Sequence, residues 1–78
     1  MSGKVLDLDR TVYELCTGDP EIAGILQDVG FADVTKPGML NTAGRFMTIP
    51  KGALLKRIDL AEVKRIFAER GYEVVGGN

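Results

Sequence analysis

Glycine, proline and helix-capping residues interrupt this sequence so often that it leaves no room for a long helix or strand. The 78 residues include 10 glycines and 3 prolines, and both residue types begin or end regular elements at defined positions. Most of the short segments between them carry apolar residues at helical spacing. The sequence therefore predicts an all-α fold, a compact array of four to five short helices in a single domain over residues 1–78.

Two segments carry the strongest helix signals. Residues 19–30 have an N-capping aspartate, a proline at the first helical position and a terminating glycine. Residues 59–71 have similar ends, with Glu62 predicted to complete a capping box. Each terminating glycine is followed by an aromatic residue, Phe31 or Tyr72, which we expect to pack back onto its own helix.

Three further short helices complete the predicted array. Thr11 and Glu14 have the spacing of a capping box for a helix that stops at Gly18. Residues 37–47 indicate a second helix, and Thr48 is a plausible N-cap for a third.

The two ends of the chain have a different pattern. Residues 72–75 alternate in polarity and can pair with residues 5–8, which would give the helical array a minimal two-stranded unit. We expect residues 1–4 and 76–78 to fray.

Charge is unevenly distributed along the chain. Residues 1–35 carry two basic and seven acidic side chains, a net charge of −5, whereas residues 36–70 carry eight basic and three acidic ones, a net charge of +5. Attraction between the surfaces of the two halves within one fold is the simplest explanation. Surface ion pairs contribute only about 0–1 kcal/mol each, so their presence requires no function. The alternatives are a basic face for an anionic partner and head-to-tail self-association.

The side chains available for chemistry exclude several functions. The chain has no histidine, so it lacks the commonest general base and metal ligand. Cys16 is its single cysteine; we expect it to be structural, in a reducing cytoplasm. No run approaches the ~20 apolar residues of a membrane span. We expect a non-enzymatic protein with no metal and no cofactor, and neither nucleic acid nor membrane as a partner.

The segment 39–48 is the candidate functional site. It combines an amide, a hydroxyl and a guanidinium, which can bind a carboxylate or phosphate, with methionines and a phenylalanine that can line an apolar pocket. The alternative is that Asn41 and Arg45 only satisfy backbone groups at helix ends. The candidate ligand- or partner-binding residues are Met39, Asn41, Thr42, Arg45, Phe46 and Met47.

Two main functions remain open, and a third, weaker alternative is an enzyme that uses thiol chemistry at Cys16. The first is a regulatory or interaction module whose segment 39–48 contacts a partner protein, a second copy in a homodimer or a small anionic ligand. The second is a small-molecule sensor, which recognises an anionic ligand or is linked to redox chemistry.

The run PGMLNTAGRFMTIPKGA at residues 37–53 resembles a known family. It is similar to the small helical domain of unknown function that occurs alone, or N-terminal to hemerythrin-like and PAS sensor modules, in anaerobic bacteria and archaea. Residues 8–15, 19–22 and 29–31 also match, so the resemblance covers nearly the whole chain. It implies four or five short helices and no established activity.

A sibling branch of that family resembles the redox-disulfide domain associated with hybrid-cluster proteins. That domain has a Cys-x-x-Cys-Pro motif after a helix-ending glycine. Here Pro37 is present, but Asp33 and Lys36 stand at the two cysteine positions, and Cys16 lies in an earlier helix. The redox role therefore does not carry over to this chain.

Overall fold

The computed structural model describes residues 4–77. Within that range, five α-helices and a pair of short strands surround an apolar core. The elements are β1 (Lys4–Asp7), α1 (Val12–Gly18), α2 (Pro20–Val29), α3 (Pro37–Leu40), a 3-10 turn (Ala43–Arg45), α4 (Ile49–Lys56), α5 (Leu60–Glu69) and β2 (Tyr72–Val75). The predicted array of short helices is confirmed. No helix in the described range is both long and apolar enough to cross a membrane.

The helix starts follow the capping chemistry of the sequence. The Glu14 N–H donates to Thr11 Oγ1 at 3.1 Å, and the Thr11 N–H donates to Glu14 Oε1 at 3.2 Å, which completes the capping box of α1. Asp19 Oδ1 accepts the Glu21 N–H at 3.1 Å at the start of α2. Gly30 ends α2 with a φ of 115°, a conformation that favours glycine.

The predicted helix over residues 37–47 is interrupted in the structure. Thr42 has φ −113° and ψ −84°, outside the helical region, and separates α3 from the 3-10 turn. Its hydroxyl donates to the Gly38 carbonyl at 3.0 Å, a bond that competes with regular helix. Asn41 and Arg45 therefore do not share one face of a continuous helix, as the spacing of four residues suggested.

The capping box predicted for α5 is only half formed. Asp59 Oδ1 accepts the Ala61 N–H at 3.0 Å, as an N-cap should. The Glu62 carboxylate, however, binds the Arg65 guanidinium one turn further along the helix. The Arg65 guanidinium donates to both carboxylate oxygens of Glu62, whereas the cap backbone offers a single N–H, so the bidentate pair replaces the bond to the cap backbone.

The two ends of the chain meet as parallel strands. Lys4 lies opposite Tyr72, and Asp7 lies opposite Val75, which confirms the pairing expected from the alternating pattern. Phe67 of α5 is buried and packs edge-on against Tyr72, with ring centroids 5.4 Å apart. The aromatic residue that follows α5 therefore packs onto its own helix, as predicted.

The ends where fraying was expected fall partly outside the described range. Residues 1–3 and 78 are not among the described residues. Lys4 belongs to β1, and the Gly77 N–H donates to Asp9 Oδ1 at 3.1 Å.

Candidate functional site

Backbone hydrogen bonds hold the end of segment 39–48 against the start of α1. The Val12 N–H donates to the Met47 carbonyl at 2.7 Å. Next to this bond, Thr11 and Thr48 form an isolated antiparallel bridge. Leu40 packs against the core from the other end of the segment. The segment is therefore fixed at both ends and presents its remaining side chains from a defined position.

The six candidate residues of this segment fall into different environments. Phe46 is 81% exposed and Met39 is 44% exposed, whereas Met47 is half-buried and packs against the core. Asn41, Thr42 and Arg45 are all exposed. The segment does not gather them into one cluster, and its polar and apolar members make separate contacts.

Phe46 and Met47 line a shallow groove on the surface. The groove has a volume of about 260 Å³, and its other walls are Ala43 and, from α4, Lys51 and Leu55. The lining is apolar except for the Lys51 side chain. Of the three residues predicted to line an apolar pocket, Phe46 and Met47 line this groove and Met39 does not, and α4 supplies one of its sides.

A glycine in α4 allows the elements below this groove to pack closely. A Cβ atom at Gly52 would lie 2.5 Å from Cε2 of Phe31 and 3.0 Å from the sulfur of Met47. The first distance is a steric clash with a side chain that is itself fully buried. Gly52 thus lets α4 lie against the core at the point where Met47 enters the groove.

Arg45 makes its contact outside the groove, with α1. Its guanidinium carbon lies 4.3 Å from the centroid of the Tyr13 ring, and Nη2 donates to the phenol oxygen at 3.4 Å. Glu14 lines the same depression, which has a volume of about 300 Å³. A carboxylate beside the guanidinium opposes a bound anion, and Asn41 does not line this depression. The geometry therefore does not favour an anionic ligand here.

The alternative role for Asn41 and Arg45, as caps of neighbouring helix ends, is not realised among residues 4–77. The Arg45 side chain donates to Tyr13, and no hydrogen bond joins the Asn41 side chain to a helix-terminal carbonyl. Both side chains are at the surface, so their removal leaves no buried group without a partner.

Alanine substitutions should therefore affect stability little at these two positions. We expect Asn41→Ala to change the free energy of unfolding by less than about 0.5 kcal/mol, as at ordinary surface sites. Arg45→Ala should lower it by about 0.5–1 kcal/mol, because it removes the cation–π contact with Tyr13. Urea denaturation followed by circular dichroism measures both changes. A loss above about 2 kcal/mol for Asn41→Ala would instead identify it as a structural cap.

Two leucines of the exposed surface were not predicted from the sequence. Leu54 is 80% exposed and Leu55 is 73% exposed. The buried residues of α4 are Ile49, Gly52 and Ala53. These three residues share one face of the helix. Once that face is assigned to the core, helical geometry places both leucines toward solvent.

Cys16 lies in the core, away from this surface. It is 5% exposed, and burial raises the pKa of its thiol to about 11. The thiol is therefore protonated at neutral pH, whereas nucleophilic chemistry needs the thiolate. In the part of the chain that the structure describes, no group of three potential metal-binding side chains is close enough to hold an ion.

Comparisons with known proteins identify the family. The model of a family described as a domain of unknown function (DUF1858) matches residues 6–64. The crystal structure of a conserved domain protein from Streptococcus pneumoniae TIGR4 is similar, with a TM-score of 0.93 and 29% sequence identity over 100% of this chain and 99% of that chain. No curated protein matches. By its sequence and its helical array, this chain belongs to the DUF1858 family of domains of unknown function.

Proposed function

We propose that this domain is a non-enzymatic interaction module, which binds a partner protein through segment 39–48 and the groove beside it. The main support is the exposure of Phe46: its side chain is 81% exposed and forms one wall of an apolar groove. Aromatic residues dominate the binding energy of protein interfaces, where they fill or border pockets on the partner. An exposed phenylalanine next to such a groove supplies both kinds of contact.

The rigidity of the segment supports the same function. The bond between Val12 and Met47, and the bridge between Thr11 and Thr48, fix the backbone directly after Phe46. A surface that is ordered before binding loses less conformational entropy when a partner arrives. Cys16 is the single cysteine of the chain and cannot form an intrachain disulfide, which suits a reducing compartment, so we place this module in the cytoplasm.

A small-molecule sensor is less well supported by the same geometry. The groove of about 260 Å³ is shallow and lies below the range of roughly 300–1,000 Å³ that is typical of ligand pockets. The guanidinium of Arg45 stacks on Tyr13 beside the Glu14 carboxylate and does not point into an open anion site.

Photo-crosslinking at defined positions tests the interaction module. A photoreactive phenylalanine analogue replaces Phe46 in one variant and Ala68, which is exposed on α5, in a matched control. We expect position 46 to give a crosslinked partner that mass spectrometry identifies and position 68 to give none. The purified partner should then bind Phe46→Ala at least about tenfold more weakly than the unmodified domain.

Arg65→Ala is the control for that binding measurement, because Arg65 is exposed on α5 and pairs with residues of its own helix. It should bind the partner as the unmodified domain does. Equal crosslinking at positions 46 and 68, or unchanged binding by Phe46→Ala, would show that segment 39–48 is not the interaction surface.

A further inference from the structure

Exposed apolar side chains and positive charge coincide in one part of this chain. Residues 34–58, here called the basic-apolar segment, contain no acidic residue. Within residues 4–77, five large apolar side chains are exposed, and all but Val5 lie in this segment. The segment includes the exposed apolar residues Met39, Phe46, Leu54 and Leu55 and the basic residues Lys36, Arg45, Lys51, Lys56 and Arg57.

Most cations of the basic-apolar segment lack a carboxylate partner among residues 4–77. Lys56 is the exception, because its Nζ lies 2.6 Å from Asp33 Oδ1. In the rest of the described chain most basic residues do have a carboxylate partner, and Lys64 alone has none there. The paired cations outside the segment are Lys4, Arg10, Arg65 and Arg70. Positive charge that the fold does not neutralise is therefore concentrated in this segment, and one of these cations, Lys51, lines the apolar groove.

A second copy of this chain does not complement that surface. A twofold dimer through the basic-apolar segment would bring Lys51 and the other unpaired cations of one copy towards those of the other, and like charges across an interface disfavour association. A head-to-tail contact would instead use the acidic residues 1–35. In the described part of that range, the exposed large apolar side chain is Val5 alone, which is too little to fill a groove and cover two leucines.

A membrane surface fits less well than a protein. Anionic lipids also attract surfaces that combine basic and apolar residues. The apolar centre of this surface is a groove, however, with Phe46 on one side and Leu55 on the other. A bilayer accommodates protruding side chains, whereas a concave groove is filled by a side chain of an opposing helix or peptide.

We infer that the basic-apolar segment binds an acidic amphipathic segment of a partner protein. An apolar side chain of that partner enters the groove between Phe46 and Leu55, and its carboxylates lie near Lys51, the cation that lines the groove. This inference rests on the proposed interaction function and adds the chemistry of the partner. Charge complementarity decides which amphipathic segments bind, and the groove supplies the apolar contact that any of them would need.

Two matched peptides and one charge reversal test the inference on the full chain. One peptide is a helix with leucine and phenylalanine on one face and glutamate on the other, and the second has lysine in place of every glutamate. Calorimetry should show the acidic peptide binding at least about tenfold more tightly. Nuclear magnetic resonance should show the largest amide shifts around Phe46, Lys51 and Leu55.

Lys51→Glu should weaken binding of the acidic peptide by about tenfold and strengthen binding of the basic one, because it reverses the charge at the groove. Lys64→Glu reverses an unpaired cation outside the basic-apolar segment, so it should leave both affinities unchanged. A parallel effect of the two variants would mean that only the net charge of the domain matters, and it would overturn the inference.

Other outcomes also overturn it and point elsewhere. Equal binding of both peptides, lost in Phe46→Ala, would leave the interaction function standing and remove the acidic partner. Binding to vesicles of phosphatidylcholine and phosphatidylserine without binding to the acidic peptide would indicate a membrane. A rise in solution mass with concentration, abolished by Phe46→Ala, would indicate a second copy. No binding of the acidic peptide would reject the inference directly.

Discussion

Phe67→Ala is expected to lower the free energy of unfolding by about 3–5 kcal/mol, the usual cost of deleting a buried aromatic ring. The Phe67 side chain is fully buried, and its ring packs edge-on against Tyr72 with centroids 5.4 Å apart. The substitution would therefore leave a cavity between α5 and the strand pair. A chain of 78 residues has a total stability of about 4–12 kcal/mol, so a large fraction would be lost.

Phe46→Ala is the matched control for this prediction, since it removes the same ring from the surface. Phe46 is exposed, so its loss should change the free energy of unfolding by less than about 0.5 kcal/mol. Urea denaturation followed by circular dichroism compares the two variants. Similar losses for both would contradict the placement of Phe67 in the core and Phe46 at the surface.

Features fixed by a few neighbouring residues were predictable from the sequence. The capping box of Thr11 and Glu14, the N-caps Asp19 and Thr48, and the left-handed Gly30 all appear where local chemistry placed them. Each of these depends on a side chain that meets a backbone group within three residues, or on one backbone conformation. Such interactions form in the same way in almost any tertiary context.

The prediction was wrong where two local preferences compete. In residues 37–47 the apolar spacing favours a helix, but the Thr42 hydroxyl binds the Gly38 carbonyl and the chain leaves the helical region. The same holds for Glu62, which has both a cap backbone and Arg65 within reach. Spacing alone does not rank these options, because their energies differ by about 1 kcal/mol or less.

The candidate site was only partly predictable, for a different reason. Its groove needs Phe46 and Leu55 from separate elements, and the stacking of Arg45 joins residues that lie 32 positions apart in the chain. Contacts of this kind depend on how helices pack. The sequence identified the segment that carries Phe46. The α4 side of the groove depends instead on which face of that helix is buried, and this is decided by the packing of the helices.

Asp19, the N-cap of α2, also contacts both strands, through Lys4 of β1 and Tyr72 of β2. Its Oδ1 accepts the Glu21 N–H at 3.1 Å, and its Oδ2 accepts the Tyr72 hydroxyl at 2.7 Å and lies 3.5 Å from Lys4 Nζ. The Tyr72 hydrogen bond, aided by the backbone N–H of Glu21 and the charge of Lys4, holds the pKa of Asp19 below its ordinary value. Burial raises the pKa of Tyr72 to about 12, so its hydroxyl is protonated and donates at neutral pH.

Asp19→Ala should therefore lower the free energy of unfolding by about 2–4 kcal/mol at pH 7. About 1 kcal/mol comes from the lost N-cap of α2. A further 1–3 kcal/mol comes from the Tyr72 hydroxyl, which is part-buried and would lose its acceptor. Tyr72→Phe separates the two contributions, because it keeps the cap and removes the hydroxyl. Equal stability of Asp19→Ala and the unmodified domain would show that neither bond contributes.

Asp19→Asn isolates the charge and gives the dependence on pH. Asparagine caps helices as well as aspartate and offers Tyr72 an acceptor, but it does not titrate. Because the folded-state pKa of Asp19 is lowered, its stabilising charge is fully present above the unfolded pKa of about 3.9 and is lost as the pH falls through the folded value. The stability advantage of the unmodified domain over Asp19→Asn should therefore shrink between pH 5 and pH 2. Asp33 and Glu62 also have lowered pKa values, through Lys56 and Arg65, so both proteins should still lose stability in acid. A difference that stays constant across this range would mean that the Asp19 charge does not stabilise the fold, and that the residue acts only through its hydrogen bonds.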